Sequence, residues 1–124
     1  MLFLSGGVGA LNCLPRLREY ISVRKTSELV NPPPTCVIVL VDVNEQCIDS
    51  GDFSLHRAGA LDQFNWEHKP TDRHNGGGTL GYADGHAEPQ RWKWPKKWKQ
   101  WNDPPANAQD RADLDFILER SPQR

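Results

Sequence analysis

Residues 73–94 read RHNGGGTLGYADGHAEPQRWKW, and this stretch decides the fold. The Asp84-Gly85 pair separates two short segments, TLGYA and HAEPQRW. Asp-Gly in that setting signals a β-hairpin with a two-residue turn and positive φ at both central positions. Pro89 has no N–H to give to a ladder, so the second strand is expected at a sheet edge. Nine residues separate His74 from Asp84, and a second histidine, His86, follows the turn at once.

Upstream, NPPPT at 31–35 is a rigid extended lead, because each proline fixes its own φ and steers the residue before it toward extended geometry. CVIVLVDV at 36–43 is β-branched and almost continuously apolar, which predicts a central strand covered on both faces. Its exit is acidic, with Asp42, Glu45, Asp49 and Asp52 in the loop 42–52. Such residues are common turn formers for backbone reasons alone. Segment 53–73 has weak periodicity, with Phe53, Leu55, Leu61, Phe64 and Trp66 as candidate anchors to the core. Residues 1–12 read as glycine-rich coil or an edge strand, and 13–30 as a mixed segment.

Downstream, RWKWPKKWKQW at 91–101 interleaves four tryptophans with five basic residues. Trp94, Trp98 and Trp101 fall at i, i+4 and i+7, and Pro95 suits a first helical position, so a short helix with a tryptophan face is predicted. Asp110 is placed to cap a final helix whose Leu114, Ile117 and Leu118 form one apolar stripe.

A chain of 124 residues with 37% hydrophobic and 25% charged residues fits one domain with a modest core. Ten prolines and ten glycines predict many turns. The net charge of -1 argues against global attraction to nucleic acid, and no nucleic-acid partner is expected. Cys13, Cys36 and Cys47 lack CxxC spacing, so they spell neither a zinc ribbon nor a full disulfide framework, and one pair remains open. The fold class read from these features is α+β, a small antiparallel sheet with a hairpin and short helices.

His74, NGGGTLGYA and Asp84-Gly85, in that order, resemble the H-X9-DG motif of prepilin-type, type II secretion pseudopilin-like proteins. NPPPTCVIVLVD, NEQCIDSGDF, the aromatic-basic stretch and DLDFILERSP fit the same layout, over roughly residues 20–122. The resemblance implies a pseudopilin-like globular head and a structural, non-catalytic role in a type II secretion or pilus-like assembly. It implies other pilin-like or secretion-system subunits as partners, and the cell envelope or the extracellular space as the location. Members carry an apolar N-terminal helix that anchors and polymerises the subunit. MLFLSGGVGALN is too short and too broken by glycine to be one, so the chain reads as a head without its assembly helix.

Two readings of the motif compete. In one, His74, Asp84 and Gly85 build the turn: the histidine hydrogen-bonds backbone, the aspartate accepts N–H bonds and the glycine takes left-handed geometry. In the other, Asp42, His74 and Asp84 hold a metal, for which the resemblance favours calcium, served by the acidic loop. No GK[ST] follows the glycines and no nucleophile elbow surrounds a serine or cysteine, which leaves catalysis unsupported. The rival function is a metal-dependent enzyme or a glycan-binding module using His74, Asp84 and His86 with the tryptophans. Trp92, Trp94, Trp98 and Trp101 are the candidate surface for a glycan or partner, set against a plainer role in capping the core.

Overall fold

The computed structural model describes residues 32–49, 51–59 and 63–121. Strand β1 (Ile38–Val41) pairs antiparallel with β4 (Gly77–Tyr82), which pairs on its other side with β5 (Ala87–Arg91). A second sheet holds β2 (Leu55–Arg57) and β3 (Phe64–Trp66), also antiparallel. Among the described residues one α-helix, α1 (Ala108–Leu118), joins the sheets in a small α+β architecture. No helix among the described residues is long and apolar enough to cross a membrane.

The central strand is β4, which corrects the assignment of 36–43. That segment begins as a 3-10 turn over Pro34–Cys36, continues as the four residues of β1 and ends in an isolated bridge from Val43 to Pro70. Within the three-stranded sheet β1 is an edge, and Leu40 is 65% exposed. The reason lies in the glycines of β4. A side chain at Gly77 would run into the Gln90 carbonyl of β5, and one at Gly81 would stand 3.2 Å from Leu40 Cβ of β1. A strand without those side chains accepts close neighbours on both sides, whereas an apolar run reports burial and not position in the sheet.

The hairpin forms where expected, but its turn is longer. Gly85 N–H donates to the Tyr82 carbonyl at 2.9 Å and Tyr82 N–H to the His86 carbonyl at 2.8 Å, leaving a three-residue loop 83–85. Gly85 has φ +95° while Asp84 is not among the positive-φ residues, so one residue, not two, carries the left-handed geometry. That is the pattern of a three-residue connection ending on a left-handed glycine. Pro89 lies on the edge strand, opposite Thr79.

Two further expectations change. Residues 92–103 contain no helix; Trp98 and Trp101 meet edge to face at 4.6 Å instead of lining a helical stripe. Their backbone is held from outside: the Asp113 carboxylate accepts from Lys93 and Trp94 N–H, Asp72 from Lys96 N–H, while Asn44 Nδ2 and Lys69 Nζ donate to the Lys96 and Lys97 carbonyls. Helix α1 is capped by Asn107, whose side chain accepts from Asp110 N–H at 2.9 Å, three residues before the predicted cap. Its apolar stripe is as read: Leu114, Ile117 and Leu118 are buried with Ile38, Leu80, Tyr82 and Trp92 in one core.

Phe53, Phe64 and Trp66 join that core and Leu55 packs against it. Leu61, residues 1–30 and Cys13 lie outside the described residues. Cys36 is disulfide-bonded, whereas Cys47 is a buried free thiol whose pKa burial pushes up.

Candidate functional site

His74 sits in the turn that launches β4. Its backbone N–H donates to the Gly77 carbonyl and its carbonyl accepts from Gly77 N–H, both at 3.1 Å, with Asn75 at φ 54° and Gly76 at φ 78° between them. Contrary to the turn-building reading, the imidazole has no backbone partner among the described residues. Nε2 faces Asp42 Oδ2 at 3.2 Å on the surface, where Arg73 also reaches Asp42 Oδ1 at 3.0 Å and Glu45 at 3.2 Å. Asp42 stands just past β1, where its backbone N–H donates to the Thr79 carbonyl and its carbonyl accepts from Thr71 N–H, which ties the turn to the sheet.

Asp84 belongs to the other end of β4. Its Oδ1 accepts from the His86 N–H at 3.2 Å and contacts His86 Nδ1, and this bonding holds the Asp84 carboxyl below the usual carboxylate range. The His86 ring lies flat on Tyr82, with centroids 4.4 Å apart. Six residues of extended chain span roughly 20 Å, so Asp42 and His74 come together while Asp84 lies with His86 beyond the far end of the strand. The proposed trio of metal ligands is therefore not brought to one point.

The donor set that does converge was not singled out by spacing. Asp49, Asp52 and His68 each offer a ligand atom within 4.8 Å of the others. His68 Nε2 meets Asp49 Oδ1 at 3.1 Å, and Nδ1 accepts from Ser54 N–H at 3.0 Å. Since a backbone N–H can only donate, Nδ1 is the bare nitrogen and Nε2 carries the proton toward Asp49. A metal at Nε2 would have to displace that proton, and moving it to Nδ1 would break the bond from Ser54 N–H. Ser54 Oγ also lies 3.0 Å from Nδ1, but that lone pair already accepts from Ser54 N–H, and the hydroxyl donates to Glu67 Oε2 at 2.9 Å. The group is a fully bonded structural histidine.

The tryptophans divide. Trp92, counted among the candidate surface residues, is core: its ring is buried and its Nε1 donates to the Thr71 carbonyl at 2.9 Å. Trp94 and Trp101 are exposed, and Trp101 sets its edge against His68 at 5.4 Å. Trp98 is half-buried. Trp94, Pro95, Pro104 and Pro105, with Lys97 and Lys99, line a cleft of about 460 Å³. Its two carboxylates are already engaged, Asp103 by Lys69 at 2.6 Å and Asp110 by Lys96 at 3.0 Å.

Comparison with family models, with curated proteins and with solved structures finds no match for this chain.

Proposed function

We propose that the chain is a pseudopilin-like globular head, a structural subunit of a type II secretion or pilus-like assembly that works through its surfaces rather than by catalysis. The observation that carries this reading is the use made of the motif. The His74–Gly77 backbone pair opens β4, Gly85 closes the hairpin, and the polar groups of His74, Asp84 and His86 pair with one another, Asp42 or Glu88 instead of converging on an open site. A motif spent on a central hairpin supports a scaffold, and the exposed Leu40, Ile48, Trp94 and Trp101 supply apolar contact area for neighbouring subunits.

The test is co-purification of a tagged chain from cell envelopes after mild crosslinking, beside Leu40→Lys and Trp101→Ala variants with unchanged melting curves. Recovery of pilin-like or secretion subunits with the parent chain, and their loss in the variants, is expected. Recovery of the parent chain alone overturns the proposal. The cleft favours one second reading: a tryptophan and lysines lining one cleft suit an acidic glycan, and retention of the chain on immobilised acidic oligosaccharide in place of the subunits would establish it.

A further inference from the structure

Lys96 has 0% of its surface exposed, although lysine is almost never fully buried. Its Nζ lies 2.6 Å from Asp113 Oδ2, 3.0 Å from Asp110 Oδ1 and 2.6 Å from the Trp94 carbonyl oxygen. The rings of Trp66 and Trp92 flank it, with centroids 5.5 and 5.7 Å away. Both carboxylates are themselves buried. Lys93 N–H donates to both oxygens of Asp113, at 3.0 and 2.9 Å, and Trp94 N–H donates to Oδ2 at 3.1 Å. Asp110 is fixed at the start of α1, with Oδ2 accepting from Ala106 N–H at 2.9 Å.

A buried amine flanked by two indole rings, a carboxyl group, a second carboxylate on the same nitrogen and backbone donors on the acceptor's oxygens are the parts of an acyl-transfer site. We propose that Lys96 and Asp113 join in an intramolecular isopeptide bond, with Asp110 carrying the proton. The 2.6 Å contact to Oδ2, one C–O bond of about 1.2 Å from Cγ, brings Nζ to roughly 3–4 Å from Cγ, near the separation of reacting atoms in a productive ground state. In a dry site a buried ion pair is costly to desolvate, and passing one ammonium proton to Asp113 Oδ2 leaves a neutral amine beside a neutral acid.

The Nζ lone pair then attacks Cγ while a second Nζ proton moves to Asp110 Oδ1. Oxyanion charge develops on Asp113 Oδ1, where the Lys93 N–H already points. Collapse expels the protonated Oδ2 as water, with the proton returned from Asp110. One N–C bond forms, one C–O bond breaks, and the ammonium and carboxylate become an amide and water. Asp110 ends as the carboxylate it began as, so no oxidant or cofactor is consumed.

The test is the intact mass of the folded full chain after disulfide reduction, followed by tryptic mapping. The expected mass is lower than the sequence mass by one water. An acylated Lys96 is not cleaved, so residues 94–97 should appear as a branched peptide with 112–120. Lys96→Met and Asp110→Asn should both return to full sequence mass. A parent chain at full mass overturns the proposal and leaves an ion pair. A water loss that maps to residues 74–91, where Asp84-Gly85 can cyclise to a succinimide, overturns it equally.

Discussion

Replacing Gly77 with alanine should be the most damaging single-methyl change in the glycine run. The added Cβ would overlap the Gln90 carbonyl oxygen and stand 2.9 Å from the Gln90 carbonyl carbon and 3.0 Å from Arg91 Cα, all backbone of the partner strand. Backbone cannot swing aside as a side-chain end can. Relief requires β5 to move away from β4 near the point where Trp92 N–H meets the Gly76 carbonyl at 3.0 Å. Overpacking of this kind costs about 1–3 kcal/mol. Weakening that bond and one neighbouring bond of the β4–β5 ladder adds about 1 kcal/mol each. The lost freedom of the unfolded chain returns about 0.4–1 kcal/mol. A net loss of about 3 kcal/mol is a large part of the roughly 5–15 kcal/mol that holds a domain together.

Gly76 is the internal control. Its φ is +78° with no heavy atom within 4 Å of an added Cβ, so Gly76→Ala meets left-handed strain of about 1–2 kcal/mol and no collision. Urea melts of both variants, in metal-free buffer with a common slope, compare the two costs. Equal stability of Gly77→Ala and the parent, or a smaller loss than Gly76→Ala shows, would refute the argument that close strand approach fixes β4 at the centre.

Two further outcomes are expected. Burial pushes the Tyr82 hydroxyl up from 10.0 to about 12, so its contribution is fully present below pH 10 and is lost as pH rises toward 12. Melts from pH 9 to 11.5 should show an alkaline decline of about 2 kcal/mol that Tyr82→Phe reduces, and an identical decline in the variant would remove Tyr82 as its cause. Since His68 is held by Ser54 and Asp49 without an ion, EDTA should leave the melting temperature unchanged while His68→Ala lowers stability by about 2 kcal/mol; a drop with EDTA alone would restore the metal at Asp49, Asp52 and His68.

What the sequence determined on its own was local. Asp84-Gly85 between two short segments specified a hairpin, Pro89 marked an edge strand, and the spacing of Leu114, Ile117 and Leu118 specified the buried face of a helix. Each is set by φ, a missing donor or a period of 3.6, quantities that act within a few residues. Tertiary structure decided what depends on residues distant in the chain. It made β4 central, because room between strands is created by glycines meeting Gln90 and Leu40. It overrode the i, i+4, i+7 pattern of Trp94, Trp98 and Trp101, because Asp72, Asp113, Asn44 and Lys69 bind the backbone that a helix would have used. It separated Asp84 from Asp42 and His74, and it enclosed Lys96 between Asp110 and Asp113, where no local rule asks a lysine to be buried.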